Sequence, residues 1–356
     1  MGRRLTATLA WCALCAPLPA SASFAAGDSI WPRIVANLRL VNDEQPQIVT
    51  CAQRYAKHAD ATRRLLARSQ PFLWHIVETV ERYDLPAELA LLPAVESGFD
   101  PHAASSQQAL GLWQLLPSTG RSLGLKTTAH YDARRDPLAS TDAALRHLRA
   151  LYAHFSDWRL ALAAYNLGQS RLSRLLDAHP RGTDFWDLRL PRETSEHVCR
   201  VMALALLVEQ PGRFGIRLPD IPDTPAAEQI PLHGPVDLAR AAKLAGVPEA
   251  VIRVYNPGLD DLGDTAGKSV LLLPSAHARR LRASLAKVDD PARFAQTSRA
   301  AVPSTQVHVV QPGETLWRIA RRYQTSVDAL MRHNNLVPAS QIRPGHRLRV
   351  PSQTAS

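Results

Sequence analysis

The sequence predicts a mainly α chain, one helical domain followed by two small βααβ modules. Three observations carry this. From residue 72 to about 210, apolar residues keep a helical period and β-branched runs are nearly absent. Residues 219–229 hold three prolines in eleven positions and read as a linker, and a second linker is expected at 289–304. Between and after them, Leu238 to Asn256 aligns with Leu316 to Asn334 without a gap, both pairs being 18 residues apart. Each stretch then ends in a short apolar strand, Leu271–Pro274 or Leu348–Pro351, so one small unit is repeated.

The expected division is a leader over 1–25, a lead-in helical segment over 27–75 and the main helical domain over 76–218. A first module follows over 230–275, then the linker, then a second module over 306–351. In the leader, Arg3 and Arg4 form a charged start and Leu5 to Leu18 an apolar centre. Ala20-Ser21-Ala22 or Ser23-Phe24-Ala25 supplies the small-residue cleavage site of a secretory signal. Cys12 and Cys15 lie inside it, but Trp11 and Leu14 precede them where a lipid-anchored leader needs a small residue. Export to the cell envelope or periplasm without a lipid anchor is therefore expected. Cys51 and Cys199 remain, and in an oxidising compartment two cysteines either pair or stay buried.

In the main domain the period is interrupted at 98–101, 117–124 and 180–191. On the helical segment Leu85 to Phe99, the residues Leu85, Leu89, Leu92 and Phe99 form one stripe with Glu96 in its middle. Pro93 should bend the segment and Gly98 stop it. Burial disfavours the charged form of a carboxyl group, which suits a general acid at neutral pH. An ion pair with one of the many arginines is the bland alternative. Next, Ser105 to Thr119 reads SSQQALGLWQLLPST. There Gly111 permits close backbone approach, Gln114 brings an amide, and Trp113 is either a sugar platform or, more simply, core. Trp158 to Gly168 forms a helix stopped by Gly168, with Leu162, Tyr165 and Asn166 on one face. That polar pair either orients a carboxylate or substrate, or satisfies itself. Last, His197 shares a buried stripe with Val201, Leu204 and Val208.

Composition excludes several classes. With 356 residues, 46% hydrophobic and 21% charged, the chain is neither disordered nor too short for two or three domains. Beyond the leader no run reaches the ~18 apolar residues of a membrane span. Lys+Arg 42 against Asp+Glu 32 gives a net charge of +10, and only 5 of the basic residues are Lys. They are scattered, without a reading motif, so an anionic polymer or surface is a better partner than nucleic acid.

Taken in order and spacing, Glu96-Ser97, Gly-Leu-Trp-Gln at 111–114 and Ala164-Tyr165-Asn166-x-Gly168 resemble the motifs of the lytic murein transglycosylases, whose catalytic domain is lysozyme-like, of the goose type. The stretches ESGFDPHA (96–103), PSTGRSLGLK (117–126), YDARRD (131–136) and TDFWDL (183–188) resemble the membrane-bound D branch in particular. Residues 307–351, opening VHVVQPGETL, resemble the LysM peptidoglycan-binding domain, with Asn334, Asn335 and Pro344-Gly345 in place. The resemblance implies cleavage of the β-1,4 bond between N-acetylmuramic acid and N-acetylglucosamine, with closure of a 1,6-anhydro ring. Glu96 would be the single acid and base, because the substrate's own C6 hydroxyl is the nucleophile. Ordinary glycosidases need two carboxylates; here Asp100 is assigned no role. Ser97, Ser105, Gln114, Tyr165, Asn166 and His197 would contact or position the glycan, and Gly313, Thr315, Leu316 and Asn335 would bind N-acetylglucosamine units in the second module. The first module has Pro235 and Asp237 where Gly313 and Thr315 stand, so it looks like a degenerate copy.

Two departures qualify the resemblance. His197 stands where the family places Tyr, and a protonated His favours the charged form of a neighbouring carboxyl group. Reduced or more pH-dependent activity is the expectation. The lipid-attachment signal is also missing. The implied protein is a monomer that needs no metal or organic cofactor and works on peptidoglycan strands. A hydrolysing muramidase on the same fold, or a glycan-binding scaffold whose site has decayed at His197, are the alternatives.

Overall fold

A computed structural model describes residues 29–40, 45–128, 131–180, 182–231, 238–259, 270–285 and 306–350, the last stretch except 312–313, 324, 328–329, 332–333, 335–341 and 343–344. The expected leader and the 289–304 linker lie outside the described residues. The chain divides into two units, Met1–Leu125 with Arg134–Ala226, and Lys126–Ala133 with Ala227–Ser356.

The first unit is all helical. Its helices are α1 (Trp31–Ala36), α2 (Pro46–Ala56), α3 (Ala59–Ala67), α4 (Leu73–Arg82), α5 (Leu92–Glu96), α6 (Pro117–Ser122), α7 (Pro137–Phe155), α8 (Trp158–Leu167), α9 (Gln169–Leu176) and α10 (Arg192–Glu209). A 3₁₀ turn, Ala87–Leu91, runs directly into α5. The sequence VMALALLV at 201–208 is apolar on every face, and a helix of that kind must be surrounded. Accordingly α10 lies at the centre, with α2, α8, α5 and the 3₁₀ turn packed on it. Local signals set where the helices begin. Asp136 caps α7 by accepting from Leu138 N and Ala139 N, with Pro137 following, and Asp157 caps α8 through Arg159 N and Leu160 N.

The lead-in helices belong to this same core, because α1 and α2 place Ile34, Ile48 and Ala52 in it. Two ionic groups, one half-buried and one fully buried, hold the segment. Arg33 pairs with Glu78, Glu81 and Asp223. Glu88, at 0% exposure, accepts Arg39 N at 2.8 Å and Leu40 N at 2.6 Å.

Two expectations need correction. The stretch 117–124 is not a plain break: Pro117 starts α6, and Gly120 sits inside it where a Cβ would meet Arg134 Cδ at 2.9 Å. Nor is 219–229 a free linker. Ile221 is buried, its carbonyl accepts Ile30 N at 2.9 Å, and Trp31 Nε1 donates to Pro219 O at 2.7 Å. Prolines favour the extended backbone that exposes carbonyls to such donors, and one isoleucine suffices to anchor the strap.

In the second unit, β1 (Ala227–Pro231) pairs antiparallel with β2 (Val270–Pro274), and α11 (Leu238–Ala245) and α12 (Glu249–Tyr255) connect them. A further helix, α13 (Ser275–Leu285), packs on α11 and β1 beyond the expected end at 275. The C-terminal module pairs β3 (Gln306–Val309) with β4 (Arg347–Val350), with α14 (Leu316–Arg322) between them in sequence. Its core is Val310, Ile319, Ala320, Leu330, Leu348 and Val350. The repeat read from the sequence has a physical basis. Asn256 donates to Ile252 O and Leu272 O, both at 2.7 Å, and accepts Leu272 N at 2.9 Å. Asn334 does the same with Leu330 O (2.7 Å), Arg349 O (2.8 Å) and Arg349 N (2.7 Å). Among the described residues no helix is long and apolar enough to cross a membrane.

Candidate active site

Glu96 is the last residue of α5. Pro93 does not bend a continuous helix there; it lies in the first turn of α5, where its missing N–H costs nothing. The helix ends because Gly98 (φ +64°) and Phe99 (φ +57°) are left-handed, which lets Ser97 N and Phe99 N both reach Pro93 O, at 3.0 and 3.1 Å. Leu85, Leu89, Leu92 and Phe99 are buried as the stripe predicts, and the Glu96 side chain keeps 14% exposure.

The hydrogen-bonding neighbour of Glu96 is a histidine, not an arginine. His197 Nε2 lies 2.8 Å from Glu96 Oε1, on the buried face of α10. His197 Nδ1 is buried with no protein partner. A proton on Nδ1 would be an orphaned buried donor, whereas an unpaired lone pair costs less. The neutral ring therefore carries its proton on Nε2 and donates it to Oε1. Glu96 Oε2 has no hydrogen-bond partner among the described residues and is not sealed from solvent.

The wall beside this pair is built from backbone carbonyls. Tyr165 Oη donates to Trp113 O at 2.7 Å, and Ser97 Oγ donates to Leu112 O at 2.9 Å. Together they fasten the 111–114 segment to α8 and to the end of α5. Burial first, and then the negative charge of Glu96, push the Tyr165 hydroxyl well above its ordinary range, so it stays a neutral donor. Trp113 is fully buried and its Nε1 donates to Thr141 Oγ1 at 2.9 Å, so its ring is core and not a platform. Gln114, at φ +45°, turns its Nε2 onto Gly111 O (2.9 Å) and Ala103 O (3.3 Å). Gly111 allows the close approach foreseen, since a Cβ there would sit 2.3 Å from Arg134 O.

Tyr165 and Asn166 do not satisfy each other. Asn166 Oδ1 accepts Thr194 Oγ1 at 2.9 Å, joining α8 to α10. Ser105 shapes its own turn, its Oγ accepting Gln107 N (3.2 Å) and Ala109 N (3.0 Å). Asp100 likewise accepts His102 N at 2.8 Å. In the C-terminal module Thr315 caps α14 by accepting Arg318 N at 3.3 Å, and Leu316 is half-buried against the core. Gly313 and Asn335, like Pro235 and Asp237, lie outside the described residues.

Three supporting residues were not legible in advance. Arg134 is buried and donates to Gln108 O (2.8 Å) and Leu115 O (3.3 Å), bracing the loop that carries Gln114. Thr194 holds Asn166. Trp317, next to Leu316, leaves 58% of its surface exposed with Arg321 over its ring. For Trp317 the signal was present in a large aromatic beside a predicted binding residue; for Arg134 it was only membership of the YDARRD stretch, which says nothing of burial.

Comparisons with known proteins identify the family of this chain. The family Transglycosylase SLT domain matches residues 75–184, the LysM domain matches 308–351, and the family described as Lytic transglycosylase MltD, LysM-like domain, matches 226–290. Membrane-bound lytic murein transglycosylase D of Escherichia coli (strain K12) is 36% identical over 336 residues, covering 92% of this chain and 74% of its own. Peptidoglycan transglycosylase gp16 of Escherichia phage T7 is 36% identical over 103 residues, 28% of this chain and 8% of its own. A solved lytic transglycosylase Slt of Pseudomonas aeruginosa is 23% identical, covers 41% of this chain and 25% of its own, and has a TM-score of 0.31, too slight a likeness to argue from.

Proposed function

This chain belongs to the family of membrane-bound lytic murein transglycosylase D, and on that premise we propose how it cuts peptidoglycan. It is a peptidoglycan lytic transglycosylase. The observation that carries the mechanism is the Glu96–His197 pair, with Oε1 engaged by the imidazole and Oε2 left open. Because Oε1 accepts from His197, the acidic proton of Glu96 resides on Oε2. From there it passes to the glycosidic oxygen between N-acetylmuramic acid and N-acetylglucosamine, and the bond breaks. The muramic N-acetyl group stabilises the positive centre at C1. The C6 hydroxyl then attacks C1 and gives its proton to Glu96, closing the 1,6-anhydro ring and restoring the acid. No water is consumed and no second carboxylate is required, in contrast to a hydrolase.

Ser97 and Tyr165 act by fixing the 112–113 backbone beside the carboxyl group, and Gln114 Oε1 and Asn166 line the approach. Ser105 shapes the outer turn. His197 is the family tyrosine's replacement as donor to Glu96. In the C-terminal module Gly313, Thr315, Leu316 and Asn335, with the exposed Trp317, hold N-acetylglucosamine units, while the middle module has kept the fold without that surface. Holding the enzyme on the polymer raises local substrate concentration with no new catalytic contact. The reading places the protein in the cell envelope, exported to the periplasm and acting as a monomer.

The test is mass spectrometry of fragments released from purified peptidoglycan by the wild type and by Glu96→Gln. Anhydromuramyl ends from the wild type and none from the variant are expected. Reducing ends would make it a muramidase. No release from either, with binding intact, would make it a scaffold.

A further inference from the structure

Where α2 crosses α10, Cys51 and Cys199 face each other with their Sγ atoms 2.7 Å apart. They are 148 residues apart in sequence, and both are buried. Cys199 Sγ also lies 3.1 Å from Gln47 O, and one S–H cannot serve both neighbours. The two sulfurs are closer than unbonded sulfurs settle, so this is not ordinary apolar packing of two small side chains. The pair is also within reach of small molecules. A cleft of about 400 Å³ is lined by both cysteines with Gln47, Trp186 and Glu196, and a second of about 420 Å³ by Cys51 with Arg54, His58 and Arg200. The Cys199 S–H, then Arg54 and Arg200, hold the Cys51 thiol down to about 7, while the neighbouring thiol keeps Cys199 protonated.

We propose that Cys51 and Cys199 form an intramolecular disulfide that staples α2 to α10, two residues beyond His197. The oxidant is a disulfide, either a small-molecule disulfide entering the cleft or an oxidised dithiol protein acting on the folding chain. Cys51 thiolate attacks one sulfur of that disulfide, forming a mixed disulfide and releasing one thiolate, which is protonated. Cys199 then gives up its proton and attacks Cys51 Sγ, expelling the second thiol. Two thiols are oxidised, one disulfide is reduced to two thiols, and two protons move with the two electrons. The inference stands apart from the catalytic reading, since neither cysteine touches Glu96.

The test uses the full chain exported to an oxidising compartment, alkylated without reductant, digested and mass-mapped. The expected result is a Cys51–Cys199 linked peptide, lighter by two hydrogens than its separate halves, and no alkylation of either residue. Thermal unfolding with and without reductant should then differ by about 5–15 °C, as closure of a long loop requires. Alkylation of both cysteines, or linkage of either to a second chain, overturns the proposal. A linked peptide with an unchanged melting temperature overturns the staple. Unfolding of wild type with and without reductant needs no variant, so a folding failure cannot mask the answer.

Discussion

The helical unit and the C-terminal module put their polar groups to opposite uses. Around Glu96 the hydroxyls of Ser97 and Tyr165 donate to carbonyls of Leu112 and Trp113, segments remote in sequence, and the result is a rigid wall with one carboxyl oxygen open. In the module Asn334 ties Leu330 to β4 and buried His308 lies against Tyr323 and Glu314, while the Trp317 ring stands outside the core. On the proposed function, burial fixes the chemistry and exposure serves the binding. The middle module sharpens the point, since Asn256 repeats the asparagine clamp while the sequence has Pro235 and Asp237 where the C-terminal module has Gly313 and Thr315.

If that division holds, damage to one region should leave the other's task intact. The largest effect falls on Glu96→Gln, which should lower the rate of glycan cleavage by about 10²–10⁴-fold and leave sedimentation with insoluble peptidoglycan unchanged. Lost retention in that variant would break the comparison. Asn334→Ala removes three backbone partners in a module too small to absorb the loss, about 2–4 kcal/mol. Retention on insoluble peptidoglycan should fall, with turnover of short soluble glycan fragments kept. Asn256→Ala should unfold its own module equally but spare retention.

Acid should distinguish the helical unit too. Burial pushes the His75 imidazole on α4 down to about 4, and its Nε2 is buried without a protein partner. Above about pH 6.5 the ring is neutral in both folded and unfolded chains. Below that the unfolded chain takes up a proton that the folded unit refuses, so stability falls with pH until about 4, by about 3 kcal/mol in all. His75→Gln should flatten the melting temperature of this unit between pH 7 and pH 4.5; an unchanged slope would place the acid-sensitive group elsewhere. Trp317→Ala should weaken retention about 5–30-fold, as loss of one exposed aromatic contact does, without altering cleavage of short fragments. The smallest effect is expected from His197→Tyr, which returns a neutral donor to Glu96 and should keep or raise turnover, within about tenfold. A clear loss would show that the imidazole has a role a hydroxyl cannot fill.

Much of this was legible in the sequence because helical periodicity reports burial. The stripe through Glu96, the inward His197, and the stops at Gly98 and Gly168 all follow from it. The repeat pointed to Asn256 and Asn334 before their bonds were known. What stayed hidden depends on where carbonyls point. Nothing in the sequence says that Ser97 and Tyr165 serve Leu112 and Trp113, or that Arg134 braces Gln108 and Leu115. The strap at 219–223 reads as a linker for a related reason. Its prolines are those of a linker, and only Ile221 and the donors on α1 and the residue before it make it part of the fold. Cys51 and Cys199 could be counted, but their meeting depends on how α2 lies on α10.

That strap also bears on mechanics. Ser29 bridges Pro222, Ile30 donates to Ile221, and Arg33 pairs with Asp223, so residues near the two ends of the helical unit are joined in one clasp. Separating residue 29 from residue 223 would have to break the Ser29–Pro222 bridge, the Ile30–Ile221 hydrogen bond and the Arg33–Asp223 ion pair together, so fraying at one end of the helical unit is opposed by the other.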